Sequence, residues 1–293
     1  MSVPVAGRPS NRLVSVNLNA TVEQATLGPD PYRIDGDGKP FVPVGDGGIV
    51  LDLRLGDGVF DHIADHAAPG ACLTHTEPAA AHAFSAYACV GNQVEVRTGD
   101  AAGELGAVAG KRGEKGRVIA VFAQDVLRRL RPGDQVAVRS RGQGTVAAVA
   151  VRNVDPDLLA RLPVEFTPDG LVVAVRTAVP SRLVGNGIGR PTDMWDLDLQ
   201  LDRVTAPRWG AEQLRLGDLV AIDDLDARYN AGYRRGWRSV GLVVHGASPQ
   251  PGHGPGVTVV LSGPAGSIEI RPDPIDHVGL GEHTLLDVAR AHR

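Results

Sequence analysis

Val94–Phe122 reads VEVRTGDAAGELGAVAGKRGEKGRVIAVF, and its alternation of short apolar runs with Gly-rich polar breaks decides the fold class. Val94 opens a short β-branched run. Thr98–Gly99–Asp100 is a turn, in which Gly supplies backbone freedom and Asp bonds the turn backbone. Gly106 then lets the chain bend sharply between strands without a Cβ clash. A second strand leads into the basic hairpin tip Lys111–Arg112–Gly113–Glu114–Lys115, and a third strand ends at Phe122.

This block resembles the KOW motif of small SH3-like barrels, with Gly106 at the position of that motif's key glycine. The same grammar continues on either side. Leu13–Asn19 (LVSVNLN) alternates as a strand does, and Gly45–Gly48 is a turn feeding a strand over Ile49–Leu55. Gly56–Thr76 is polar and broken and reads as a long surface loop, which in a compact domain is commonly functional. Ala83–Val96 reads as an approach to another strand. Further strands are expected within Leu130–Gly144 and at Gly170–Val179, Leu219–Ile222, Val240–Val244, Val257–Leu261 and Ser267–Ile270. Short helices are expected at Ala123–Leu130, at Val154–Leu162 with Asp155 as N-cap and Pro156 in the first helical position, and at Leu285–His292. A phrase recurs as LRLGDGV at Leu53, LRPGDQV at Leu130 and LRLGDLV at Leu214, each a Gly-Asp turn feeding an apolar strand.

The fold class is therefore mainly β, a β-rich α+β chain of small barrels including an SH3-like one, with a few short helices. We divide it into an N-terminal β region (1–97) holding the 56–76 loop, an SH3-like segment (98–150) and a C-terminal β-rich domain (151–293) carrying the candidate site. The 37 Gly and 21 Pro are scattered between apolar runs, as many turns require. At 293 residues the chain can bury a core without disulfides, and Cys72 and Cys89 are too few for an extracellular disulfide scaffold. The opening MSVPVAGRPSNRL lacks the apolar core of a signal peptide, and no stretch has the length of a membrane span. A cytoplasmic address is expected. The net charge of −4 and the 4% aromatic content disfavour a nucleic-acid partner. Strand edges of small barrels are commonly covered by a second copy, so a homo-oligomer is expected.

Four blocks together resemble the domain-of-unknown-function family 4438 over most of the chain. They are DHAAPG (Asp65–Gly70) followed by YACVGNQVEV, the SH3-like block, GNGIG with DMWDLDLQ (Gly185–Gln200), and the stretch from LRLGDLVAIDDLDARYN to GHGPGVTVVLS (Leu214–Ser262). The resemblance implies an N-terminal region, an SH3-like barrel and a β-rich C-terminal region, and brings no reaction with it. The family pattern does not carry His75 and Glu77.

The residues themselves point first to Asp224, Asp226, His245 and His253 as catalytic groups, with Arg228, Tyr233 and Arg234 as substrate contacts. Asp224, Asp226 and Arg228 alternate and so share one side of an extended chain. His245 and His253 end and precede strands whose ends converge on a rim. That set can hold a divalent metal such as zinc or manganese, through His245, His253 and Asp224, or do acid–base work. Gly254 beside His253, and Gly187 in GNGIG, suit close approach to a ligand. Asp65 and His66 form a second pair, in which a carboxylate can orient the ring or share a metal. Weaker candidates are Cys72 and His75 with His82 and Cys89 as a zinc set, and His75, Glu77 and His82 as a catalytic metal site. Asp193, Asp196 and Asp198 can add acidic ligands, although DMWDLDLQ reads equally as a half-exposed strand with Asp outward.

The expected function is an enzyme on a small polar, amide- or amino-acid-like metabolite, a hydrolase or isomerase, metal-assisted through an Asp/His/Arg rim. Two alternatives stay open: an RNA- or ribonucleoprotein-binding module in the SH3-like barrel, and a non-catalytic small-ligand sensor or scaffold.

Overall fold

The computed structural model describes residues 13–28, 30–113, 116–145, 147–273 and 279–291. Glu114 and Lys115 of the basic tip, His292 and the opening residues 1–12 lie outside the described residues.

The first half runs β1 (Val16–Val22), β2 (Arg33–Ile34), β3 (Pro40–Phe41), β4 (Ile49–Val50), β5 (Gly70–Thr74), α1 (Pro78–Tyr87), β6 (Gln93–Val96), β7 (Leu105–Arg112), β8 (Arg117–Phe122), α2 (Gln124–Arg129) and β9 (Gln135–Ser140). The second runs β10 (Ala150–Val151), α3 (Pro156–Leu159), β11 (Val164–Thr167), β12 (Gly170–Val175), β13 (Thr177–Pro180), β14 (Leu197–Asp198), β15 (Leu219–Asp226), β16 (Gly232–His245), β17 (Gly256–Pro264), β18 (Ile268–Pro272) and α4 (Glu282–Ala291).

The recurring Gly-Asp phrase is one turn built three times. Asp57, Asp134 and Asp218 each accept a hydrogen bond from the backbone N–H three residues earlier, at Arg54, Arg131 and Arg215 (2.7, 2.8 and 2.8 Å). The glycine before each Asp has φ between 89° and 98°, the left-handed value that a type II turn demands at its third position. The first and third copies also pair with each other: Gly56 N–H donates to Leu216 O and Val59 N–H to Leu214 O. The turn thus splices the N-terminal half onto the C-terminal half.

Six antiparallel strands close a barrel in the order β1-β9-β6-β7-β8-β5, with β5 returning to β1 and β4 added outside β5. The SH3-like segment is therefore not a barrel on its own. Its strands are closed by β1 and β5 from the first hundred residues, so a boundary at 97/98 would cut the barrel. Inside the barrel lie Leu18, Val22, Leu73, Val94, Val108, Val118 and Phe122. The alternate residues Ala107, Ala109, Ile119 and Val121 face outward against Leu219, Leu242, Val244 and Val260 of the second sheet. Strands β7 and β8 are buried on both faces, which is why RVIAVF is a continuous apolar run rather than an alternating one.

The second sheet has the order β10-β17-β16-β15-β13, with β14 on β17. Its far face packs Val220, Ile222, Val243, Val257 and Val259 against Leu53, Val59, Phe60, Leu197 and Leu199. Two small sheets, β11-β12-β18 and the pair β2-β3, complete the β structure among the described residues, and no helix among them is long and apolar enough to cross a membrane.

Three local expectations differ from the structure. The strand expected over Ile49–Leu55 stops at Val50, as β4. Ala83–Val96 is expected to lead into a strand, but its first part belongs to α1, an Ala-rich helix with Pro at its start and Glu77 capping the N–H groups of Ala79 and Ala80. The 56–76 stretch is not a loosely exposed loop. Its end is β5, and Val59, Phe60, Ala67 and Ala68 are buried between the halves.

Candidate metal centre

Three histidines and two aspartates meet where the loop before β5 touches the second sheet. Backbone pairing sets this up. Gly246 N–H donates to Ala67 O, Ala247 N–H to Val59 O and His66 N–H to Ala247 O, so the loop is stitched to the chain leaving β16. His66 itself has φ of 52°, a conformation that costs free energy in a non-glycine residue and that clusters at functional sites.

The acids come from the segment around β14. Asp196 and Asp198, two residues apart on extended chain, point the same way. The two Gly-rich stretches close on that segment. Asn186 O accepts from Asp198 N–H, Asn186 N–H donates to Gly252 O and Pro255 O accepts from Leu199 N–H. A Cβ at Gly187 would overlap Asp196 O, one at Gly254 would overlap Leu199 O, and one at Gly256 would overlap the His245 ring. GNGIG and GHGPG are therefore clamps on the acidic segment. Asp196 and Asp198 are almost wholly buried with their carboxylates inward, which corrects the reading of DMWDLDLQ as a half-exposed strand.

Asp198 is the hub. One of its oxygens, Oδ2, lies 2.9 Å from His253 Nδ1 and 3.6 Å from His66 Nε2, and those two nitrogens are 2.9 Å apart. From these three separations, a point roughly 2.1 Å from all three atoms exists about 1 Å off their plane, with angles of roughly 90–120°, matching zinc-like bond lengths to N and O. The other oxygen, Oδ1, lies 3.2 Å from His245 Nε2, which is also 2.9 Å from Asp196 Oδ2. The sets His66/Asp198/His253 and Asp196/Asp198/His245 are the groupings of potential metal ligands among the described residues.

Outer contacts fix the rings. His66 Nδ1 lies within ion-pair distance of Asp65 (2.8 Å), a wholly buried carboxylate that accepts from Ser248 Oγ (2.6 Å) and Gln250 Nε2 (3.0 Å). His245 Nδ1 donates to Gly246 O (2.9 Å). Carboxylate- or carbonyl-oriented imidazoles of this kind are the usual setting of metal-ligating histidines. Burial would push the His245 pKa down, but the hydrogen bonds to Asp196 and Asp198 outweigh it and raise it to about 9. Burial would likewise raise Asp198, yet its contacts with His245, His253 and His66 hold it well below the usual carboxylate range. Asp65 is also lowered, its burial outweighed by His66, Ser248 and Gln250.

A buried charge network runs on from the centre. Arg33 reaches both Asp65 (3.5 Å) and Asp46 (3.4 Å). Asp46 also pairs Arg112 and Arg117 (2.7 Å each), and Arg117 pairs Glu23. Across the connected groups, five carboxylates face three guanidiniums. His245, raised to about 9 by Asp196 and Asp198, adds a fourth positive group, and the network stays acidic. On the open side, His253 is 19% exposed at its side chain and lines a cleft of about 370 Å³, together with Gln200, Thr205, Ser248, Gln250 and the acids Asp35, Asp37 and Asp202.

The structure thus brings together His253, His245, Asp65 and His66 of the residues singled out from sequence. It places the others elsewhere. Asp224 and Asp226 pair with the far end of the 14-residue β16, on the order of 40 Å from His245 along an extended strand. Asp224 has φ of 58° at a bulge and accepts from Gly236 N–H; Asp226 is held by Arg228 and Arg234 (2.9 Å each). Those arginines stack on Trp237, with ring-centre distances of 3.9 and 4.1 Å, and Tyr233 is exposed beside them. Asp224 is therefore not a partner of His245 and His253 in one ligand set, and Arg228, Tyr233 and Arg234 do not line the cleft. Cys72, His75, His82 and Cys89 form no ligand set either. Both thiols are buried, which pushes them up to about 11 and 12, His82 is exposed, and His75 accepts from the Glu77 N–H beside the helix cap. Lys111 and Arg112 of the basic tip point inward and are buried, so they present no phosphate-binding surface.

Two family models cover the chain from 32 to 278: Domain of unknown function (DUF4438), N-terminal, over 32–160, and its C-terminal counterpart over 161–278. The chain belongs to the DUF4438 family. Its centre is composite, because Asp65 and His66 come from the N-terminal DUF4438 domain while Asp196, Asp198, His245 and His253 come from the C-terminal one. A solved structure described as the crystal structure of TM1086 is similar over 93% of this chain and 98% of that one, at 32% identity and a TM-score of 0.88. No curated protein matches this DUF4438 chain.

Proposed function

We propose that this DUF4438 protein is a metal-assisted enzyme acting on a small polar, amide- or amino-acid-like substrate, most simply as a hydrolase. The observation that carries this reading is the convergence of His66 Nε2, His253 Nδ1 and Asp198 Oδ2 on one buried point, with His253 also lining a cleft. Three protein ligands, fewer than the four of a closed structural site, are the number found in catalytic zinc-type sites, and the partly exposed His253 is the one that meets the cleft. A divalent cation there would polarise a carbonyl and lower the pKa of a bound water, the chemistry amide hydrolysis needs. Asp65 fixes the His66 ring, and the buried surround keeps the dielectric low around the developing charge.

The cleft supports a restricted substrate class. Its polar lining is amide, hydroxyl, carboxylate and the His253 imidazole, with no arginine or lysine among the described residues to clamp a substrate carboxylate. Neutral or cationic molecules of a size fitting about 370 Å³ suit it.

Protein purified without chelator or affinity tag should carry a divalent transition metal by plasma mass spectrometry, and should turn over members of a panel of small amides. His253→Ala should abolish turnover with the fold intact by circular dichroism. Retained turnover in that variant would overturn the assignment. Ligand-induced thermal stabilisation without product would replace the enzyme with a binding protein using the same cleft.

A further inference from the structure

We infer that the centre is binuclear, with Asp198 as a carboxylate bridge between two divalent cations. This deepens the reading above and rests on it. The two oxygens of Asp198 serve different ligand sets: Oδ2 faces His66 and His253, and Oδ1 faces His245, which in turn faces Asp196.

The geometry of the second set leaves one buried acceptor without a hydrogen-bond partner, which a cation would satisfy. Gly246 O can only accept, so His245 Nδ1 carries the hydrogen that bonds it (2.9 Å). Nε2 then faces two carboxylate oxygens, Asp196 Oδ2 at 2.9 Å and Asp198 Oδ1 at 3.2 Å. All three residues are almost wholly buried, where converging acceptor atoms are costly unless a positive charge lies between them. A proton on Nε2 can point at one oxygen only. It satisfies Asp196 and leaves Asp198 Oδ1, a buried atom, without a hydrogen-bond donor. A metal ion bonded to Nε2 and both oxygens satisfies all three. The remaining oxygen of Asp196 is taken by Gly113 N–H (3.0 Å), which fixes that carboxylate in the ligating orientation. A bridging carboxylate holds paired ions about 3.5–4 Å apart, the spacing at which one hydroxide can be shared and activated by both.

The test is equilibrium dialysis of chelator-stripped full-length protein against manganese(II), with electron paramagnetic resonance on the loaded sample. Two equivalents per chain with a spin-coupled signal are expected. Asp196→Asn, which keeps the shape of the segment, should drop the count to one and replace the coupled signal by that of isolated manganese. One equivalent in the wild-type protein, uncoupled and unchanged by Asp196→Asn, would overturn the bridge while leaving the proposed function standing. No bound manganese, zinc or cobalt at all would overturn both.

Discussion

Asp65→Asn should weaken metal binding without unfolding the protein. Asp65 is wholly buried, lies 2.8 Å from His66 Nδ1 and is itself held by Ser248, Gln250 and Arg33. The substitution keeps volume and shape but removes the negative charge that makes His66 Nε2 a strong donor to a cation. It also puts an amide that can present N–H where only an acceptor stood, favouring the wrong ring tautomer. Loss of such an outer partner costs about 10–100-fold in metal affinity, or about 1.4–2.7 kcal/mol. Arg33 keeps its second partner, Asp46 at 3.4 Å, so no guanidinium is stranded. The assay is competition for zinc against a chromophoric chelator at neutral pH, with thermal unfolding of the metal-free protein as the control. An affinity within about twofold of wild type, in a folded variant, would refute the role given to Asp65 and to the His66 ring it orients.

Three further outcomes are expected. Gly256→Ala places a methyl in the His245 ring and should destabilise by about 1–3 kcal/mol in urea titration while lowering the metal count. Arg117→Met removes the guanidinium paired with Glu23 and one of the three on Asp46, and should cost up to about 3 kcal/mol by the same measurement, because the pairs it breaks are largely buried. Lys111 is fully buried, and burial lowers its pKa to about 8 by penalising the charged form. The native state therefore holds that proton less tightly than the unfolded chain. This one group should add stability as pH rises from about 8 to about 10.5, by about 3 kcal/mol. Urea titrations across that range should show a rise in wild type that Lys111→Met lacks.

Much of the fold is legible because its signals are local. The Gly-Asp turns at Gly56, Gly133 and Gly217 announce themselves through the one residue that takes positive φ and the one that bonds the turn. Barrel closure is not local. That β1 pairs with β9 and β5 depends on register between residues far apart in sequence, and LVSVNLN alone does not name its neighbours. Helix α1 escapes because Phe84 and Tyr87 suggest β propensity, while the Ala-rich run and the Glu77–Pro78 start outweigh them.

The site divides the same way. Asp65–His66, His245 and His253 stand out as chemistry-bearing residues beside turns. Which of them meet is a tertiary fact. Alternation puts Asp224, Asp226 and Arg228 on one side of a strand but does not say at which end of the sheet that strand's partner carries its histidine. Asp196 and Asp198 carry the signal that links the rest, two acids at period two between glycine-rich stretches. Taken alone, that pattern also describes an exposed strand. The glycines mark the difference, since Gly187, Gly254 and Gly256 each have no room for a Cβ against this segment or the ring it faces.

His66, His253 and Asp198, drawn from both DUF4438 domains, are proposed to hold a catalytic cation. Anomalous diffraction from crystals of the protein as purified, collected on either side of the absorption edge of the metal found in solution, tests it most directly. The account predicts an edge-dependent peak within about 2–2.3 Å of His66 Nε2, His253 Nδ1 and Asp198 Oδ2. Metal peaks that all lie away from these three atoms, or crystals grown with excess zinc and manganese that show none there, would contradict it.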